Sequence, residues 1–403
     1  METLKDVIEF CLIPKLCKNY EESSNHPEFE IRNKRLEKCF NQLLKKLETI
    51  FLKDYINSEY NIVSHLLILY YELSTNAIWN NKKCLKLSEK LKYYFEVFYE
   101  TNIINVLREN KVFHHQEILD KCLEYLHNKL TATDFKRYPG QIEVYFTIIK
   151  DIKNYNVIIV PSTILPAALY LIDDYVPENK IKGLKCSLSI LHCLNVDDFE
   201  QGNYYDVIYL SLIKVLSVKD VEATRLVFEC LLTLYNTLPA NIKKDKLDEI
   251  YDSVLDQLVI ESNLYRKAEY LNFTRTIISI HKIHCVNRSI FLTIIADNLD
   301  LCCNETVGDV LLDNILLTLK EWIRYCWCVW KLTEGQKVLS NLFKILYCCK
   351  GDQVTDVHGL IVTLIKLCNE HERKNIINNL DAIGCSMDKT FTNRMSAIKS
   401  DIT

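Results

Sequence analysis

The feature that most constrains this chain is the spacing of its apolar residues, which recur at three and four positions rather than at two. That is the period of a helix face turned toward a core, whereas a half-buried strand would alternate. Ala223, Leu226, Val227, Cys230, Leu231, Leu234 and Tyr235 form one such stripe. Glu222, Arg225, Glu229 and Asn236 lie opposite it, and Asp220 stands where an N-cap is expected. Val307, Val310, Leu311, Ile315, Leu319, Trp322, Ile323 and Cys326 form a second stripe, with Thr306 as its expected cap. Only 8 Gly and 7 Pro punctuate the chain, far fewer than the tight turns of a β-rich fold would require.

Read from Pro161 onward, that punctuation predicts helix pairs at 160–175 with 178–194, 203–217 with 221–236, and 243–260 with 264–283. Two further pairs follow at 287–300 with 306–326 and 332–349 with 354–370. Successive pairs begin roughly 40 to 45 residues apart, inside the period of HEAT and armadillo repeats. One amphipathic pair cannot bury its apolar face alone, so pairs in tandem must bury it against one another. The expected fold is therefore all-α, an α-solenoid of HEAT/armadillo-like helix pairs. Residues 151–403 are expected to form regular HEAT-like repeats ending in capping helices. Residues 1–150 continue as a less regular N-terminal helical region, with helices near 36–52, 62–74, 85–107 and 114–130 and a loop at 19–30.

Composition narrows the function classes. Apolar residues make up 49% and charged residues 25%, the balance of a folded chain rather than a disordered one. The net charge of −4 offers no broad positive field for a phosphate backbone, so nucleic acid is not an expected partner. The first six residues carry acid where a secretory leader carries base, which places the 17 Cys in a reducing compartment. The expected location is the cytoplasm, with the nucleus as a second compartment. The uncharged run 154–172 holds Pro161 and Pro166, so it reads as a loop entering a buried helix rather than a membrane span.

Chemistry-bearing patterns are sparse. No two Gly lie nearer than eight positions, which excludes a phosphate-cradling loop, and no G-x-S-x-G elbow occurs. His281, His284 and Cys285 fall within about one helical turn and raise the question of zinc. No C-x-x-C accompanies them, and Cys302-Cys303 and Cys348-Cys349 are adjacent pairs whose side chains diverge on a helix. Zinc-dependent catalysis is thus the weaker alternative, and no metal, cofactor or catalytic residue is expected. Trp322, Trp327, Trp330 and Tyr325 form either core or a docking patch.

The tightest pattern runs from Leu165 to Cys186 and reads as one HEAT unit. Pro166 sits where the first helix kinks, and Asp173 or Asp174 ends that helix and accepts backbone N–H groups of the turn. Pro177 opens the second helix, where its missing N–H has no partner to lose. Gly183 lets the two helices approach closely, and Lys180 is expected to pair with the inter-helix Asp.

These residues also carry a resemblance. Leu171-Ile172-Asp173-Asp174-Tyr175, Pro177-Glu178-Asn179-Lys180, Gly183, Cys186 and Leu231-Leu232-Thr233-Leu234-Tyr235 resemble the second Tti subunit family of the Tel-Tti-Tti (TTT) assembly. A weaker likeness continues from Asp309 to Trp327. The resemblance implies a helical-repeat scaffold without enzymatic activity, whose partners are the other Tti subunit and, through it, Tel. It further implies a role with the Hsp-ninety chaperone system in maturing phosphatidylinositol-kinase-related kinases such as TOR and the ATM type. The family motif supplies Asp173, Asp174, Pro177, Asn179, Lys180 and Gly183 as candidate partner contacts. A HEAT-repeat adaptor for nuclear transport or vesicle traffic is the alternative.

Overall fold

A computed structural model describes residues 3–21, 25–51, 59–200, 204–349, 351, 353–385 and 389–402. Within them the chain forms α-helices and short 3-10 turns and no strand. Pro27, Pro139, Pro161 and Pro177 each open an α-helix, and Pro239 caps another. Proline is tolerated there because its missing N–H would have had no intrahelical partner.

The chain divides into two compact units. The first comprises Met1–Val215 with Leu232–Thr237, the second Leu216–Leu231 with Leu238–Thr403.

The first unit opens with α1 (Leu4–Cys11), α2 (Pro27–Phe51), α3 (Glu59–Ser74) and α4 (Lys82–Tyr99). There follow α5 (His115–Leu130), α6 (Pro139–Lys150), α7 (Pro161–Ile172), α8 (Pro177–Leu191), α9 (Val196–Glu200) and α10 (Tyr204–Val215). Helix α3 is buried on every side from Val63 to Tyr70, where all residues but Ser64 and His65 are apolar. It packs against α1, α4, α5 and α6. Beyond it the stacking becomes regular, α7 lying on α5 and α8 on α6.

The second unit contains α12 (Ala240–Ile260), α13 (Leu264–His281), α14 (Ile290–Leu301), α15 (Glu305–Cys326) and α16 (Leu332–Cys348). It ends with α17 (Gln353–Leu367), α18 (Glu370–Cys385) and α19 (Lys389–Ile402); helix α11 (Val221–Asn236) spans the division. Here α12, α14 and α16 contact in succession as one layer, and α13, α15, α17 and α19 as the other. Two layers of like-on-like helices are the repeat packing the 40-to-45-residue period demands.

The five pairs expected from Pro161 onward are present, displaced by a few residues at their ends. Asp220 Oδ1 accepts the Ala223 N–H at 2.6 Å, as an N-cap should. At α15 the cap is Asn304 rather than Thr306, its Oδ1 accepting the Thr306 N–H at 3.1 Å. Helix α4 stops at Tyr99, short of 107, because Glu100 turns left-handed at φ +53° and ends the ladder. The loop expected at 19–30 gives way to helix at Pro27, and 22–24 of it lie outside the described residues. Among the described residues no helix is long and apolar enough to cross a membrane.

Candidate functional site

The motif that carries the family resemblance forms the corner between α7 and α8, and the structure divides its residues into two sets. Asp174 is turned inward with its carboxylate wholly buried. Oδ1 meets the Lys136 ammonium at 2.5 Å and accepts the Val176 N–H at 3.3 Å, while Oδ2 accepts from Asn179 Nδ2 at 2.9 Å. A buried carboxylate is tolerated when its lone pairs are filled in this way. Asp173, one residue earlier, is the C-cap of α7 and remains exposed, with Lys214 no nearer than 4.0 Å. Tyr175, Pro177 and Glu178 are exposed beside it.

Lys180 does not pair with the inter-helix acid as the sequence suggested. Its side chain runs back along α8 toward the end of α7, where its ammonium donates to the Ile172 carbonyl at 2.6 Å. The last carbonyls of a helix lack intrahelical donors and carry partial negative charge, so a cation there is well placed. Burial holds the Lys180 pKa below the ordinary lysine value, against the opposing pull of Asp173 and Asp174. The ion pair expected of Lys180 is made instead by Lys136, from the 3-10 turn Phe135–Arg137 ahead of α6. Nothing in the local sequence marked Lys136, since it lies 38 positions from Asp174.

Gly183 fits its expected role. A Cβ at this position would meet Ile172 N at 2.6 Å, Ala168 O at 2.8 Å and Leu171 C at 2.9 Å, all backbone. Only a residue without a side chain allows α7 and α8 to cross this closely.

The Lys136 turn extends the corner toward the N-terminus. Its ammonium lies 3.6 Å from the centre of the Tyr175 ring, a cation–π contact. The backbone carbonyls of Lys136 and Arg137 accept the N–H groups of Tyr20 and Leu16 at 3.1 and 2.9 Å, and Arg137 Nε donates to the Leu16 carbonyl. The strap from Leu12 to Tyr20 thus docks on the turn that braces the motif. Its other end is tied by Glu72, whose Oε1 accepts the Ile13 N–H at 2.8 Å. Glu72 is fully buried beside Arg32, at 3.5 Å, and burial pushes its pKa up to about 7 against the pull of that guanidinium. Arg32, equally buried, also donates to the Cys11 carbonyl at 3.0 Å and to Asn33 Oδ1 at 2.9 Å.

The second unit repeats the corner. Glu261, between α12 and α13, accepts the N–H groups of Ser262 and Asn263 at 2.9 and 2.8 Å and pairs with the buried Arg266. Arg266 also donates to Thr224 Oγ1 at 2.9 Å and the Leu216 carbonyl at 2.6 Å. Lys267 is buried next to it and donates to Asn298 Oδ1 at 3.0 Å on α14. In both corners an acid is followed five residues on by its side-chain donor and six residues on by a buried lysine. That shared spacing, Asp174-Asn179-Lys180 and Glu261-Arg266-Lys267, was present in the sequence and was the signal that would have identified the second corner.

Of the remaining candidates, the His281 and His284 rings are neighbours, their centres 5.2 Å apart. His281 Nε2 lies 2.9 Å from Asp248 Oδ1, and Cys285 is buried with its thiol pKa raised by burial. Among the described residues no group of three or more His, Cys, Asp or Glu side chains is arranged to hold a metal ion. Trp322 and Trp330 are core, Trp322 stacked on Phe291 with ring centres 5.6 Å apart, whereas Trp327 is 56% exposed.

No protein-family model matches this chain, and no curated protein matches it. Among solved structures it is similar to a chain in the complex of Kap95p with RanGDP, with a TM-score of 0.51 and 13% identity. That match covers 98% of this chain and 47% of the other. A Kap95 complex with Nup1 aligns at a TM-score of 0.49 and 13% identity, over 98% and 46%. The karyopherin Kap121p bound to the C-terminus of Cdc14p aligns at 0.40 and 14%, over 84% and 35%. The chain therefore spans about half the length of the Kap95 chains it matches. Its fold is an all-α solenoid of the HEAT type.

Proposed function

We propose that this chain is a non-catalytic helical-repeat scaffold that holds protein partners, and that it acts as the second Tti subunit of a Tel-Tti-Tti assembly. In that role it binds the other Tti subunit and, through it, Tel, and assists Hsp-ninety-dependent maturation of phosphatidylinositol-kinase-related kinases. The single observation that carries the specific reading is the Asp173-Asp174-Tyr175, Pro177-Glu178-Asn179-Lys180 and Gly183 motif. The corner it forms supports that reading in a physical sense. Asp174, Asn179, Lys180 and Gly183 are spent on holding α7 against α8, while Asp173, Tyr175 and Glu178 face solvent on the rigid frame so made. Side chains held at fixed positions on a braced turn lose little further freedom on binding.

A second reading, a HEAT-repeat adaptor for nuclear transport or vesicle traffic, draws on the likeness to the Kap95p chain, which is complexed with RanGDP. Affinity purification of the tagged full chain under gentle lysis, followed by mass spectrometry, separates the two. Recovery of a much larger helical-repeat subunit together with kinase-maturation components is the expected result. Recovery of a Ran-type GTPase or transport cargo in their place transfers the assignment to the adaptor. Stoichiometric zinc in the purified protein would favour a metal-dependent role over both.

A further inference from the structure

Cys302-Cys303 and Cys348-Cys349 occupy corresponding places in successive repeats, each pair at the C-terminal end of the first helix of its repeat. Stacking α16 on α14 therefore brings the two pairs together. All four cysteines line one open cavity of about 240 Å³, whose lining also includes Glu305, Asp309 and Gln353. Beside the cavity Lys344 Nζ on α16 pairs with Asp300 Oδ1 on α14, at 2.7 Å.

The four thiols are not equivalent. Cys302 is buried, and burial pushes its pKa up to about 12. Cys349 is turned toward Gln353, its sulfur 3.4 Å from Oε1. Cys303 is half-buried and Cys348 is exposed. Burial raises the Cys303 pKa, the nearby Cys348 and Asp300 raise it further, and Lys344 pulls it back.

We propose that Cys303 and Cys348 form a dithiol site that takes two-electron oxidants of the peroxide class and closes to a disulfide between neighbouring repeats. Cys348, the exposed thiol, meets the oxidant first. Its sulfur attacks one peroxide oxygen and the O–O bond breaks, leaving Cys348 as a sulfenic acid and releasing one water. The Cys303 sulfur then attacks the Cys348 sulfur. The S–S bond forms, the S–O bond breaks, and the hydroxyl departs with the Cys303 proton as a second water. Two thiols lose two electrons, and one peroxide becomes two waters. The product ties the α14–α15 corner covalently to the α16–α17 corner, alongside the Lys344–Asp300 pair that already joins these repeats.

The test treats the reduced, folded full chain with hydrogen peroxide, blocks remaining thiols, and maps disulfides by mass spectrometry without reduction. The expected result is a Cys303–Cys348 cross-link that dithiothreitol reverses. Cys303→Ser and Cys348→Ser each abolish it, and Cys302→Ser and Cys349→Ser retain it. Circular dichroism and the melting midpoint establish that each variant is folded. Two results would overturn the proposal. One is Cys348 driven to sulfinic acid in the folded wild-type protein while Cys303 stays a thiol. The other is a cross-link that survives in folded Cys348→Ser. The wild-type mapping decides even where a variant fails to fold.

Discussion

Replacing Gly183 with alanine isolates the close approach on which the α7–α8 corner rests. In a solvent-exposed helix interior the change would stabilise by about 1 kcal/mol, because alanine has the better helix propensity. At Gly183 the new methyl meets backbone atoms at 2.6 to 2.9 Å, and backbone cannot swing aside as a side chain can. Restoring ordinary contact requires α7 to move outward by about 0.8 Å at Ile172. Overpacking of this kind costs typically ~1–3 kcal/mol, and a clash with backbone belongs at the upper end, so the net loss is about 2 kcal/mol after the propensity gain. For a folding unit of roughly 200 residues that lowers the melting midpoint by about 4–8 °C. Gly359 in α17 supplies the control, since it is exposed and a Cβ there meets nothing within 4 Å. Gly359→Ala is expected to raise the midpoint of its own unit by about 2–4 °C. Calorimetry of both variants, with hydrogen exchange reporting on α7 and α8, reads the opposite signs. A Gly183→Ala protein as stable as Gly359→Ala would refute the packing argument.

Other substitutions read other parts of the structure. Gly335→Ala sets a methyl into the Trp330 ring, so the indole must leave its buried place, and a red-shifted tryptophan emission is the expected signature. Gly140→Ala drives a methyl into the Glu72 carboxylate and is expected to destabilise the first unit by about 1–3 kcal/mol in urea titration. Glu72 itself sets a pH dependence. Its folded pKa lies near 7 and its unfolded value near 4.5, so between those limits the folded chain binds more protons than the unfolded one. Stability therefore falls as pH rises from about 4.5 to about 7, by an amount on the order of 3 kcal/mol from this group, and Glu72→Gln is expected to flatten that slope.

The helices were legible because burial repeats with the helical period, which any stretch of ten or more residues displays. Stripes such as Leu226, Val227, Cys230, Leu231 and Leu234 are buried as a set, and the expected pairs from Pro161 to the C-terminal region follow from them. Gly183, and the turn-capping acid read as Asp173 or Asp174, were legible for a different reason. The close approach at Gly183 and the Val176 N–H that Asp174 accepts both lie between two helices adjacent in sequence, so a local pattern contains them. What could not be read was every contact made across repeats. Lys136 reaches Asp174, and Arg266 reaches Leu216 and Thr224, over separations that no window of periodicity spans. The same limit explains the cysteines, because adjacent thiols diverge within one turn and only the stacking of α16 on α14 brings two such turns to one cavity.

The corner also separates two things that a motif usually confounds, the residues that build a surface and those that a partner reads. Asp174 has no access to solvent, so its recurrence in a family would follow from folding alone, and Asp174→Ala leaves Lys136 facing an unfilled buried site. Breaking a buried pair from one side costs about 3–5 kcal/mol, reduced here because Lys136 keeps partial exposure, and a loss of about 2–4 kcal/mol is expected. Asp173 has no such role, since its carboxylate is half-exposed and its ion pair with Lys214 is at 4.0 Å, a geometry worth about 0.5 kcal/mol. If the motif docks a Tti partner, Asp173→Ala combined with Glu178→Gln should weaken capture of that partner several-fold while the melting midpoint stays within about 2 °C of wild type. Asp174→Ala should lower capture only as far as it lowers the folded fraction. Should the surface pair bind the partner as tightly as wild type, the corner is scaffolding on both its faces, and recognition must lie on another part of the chain.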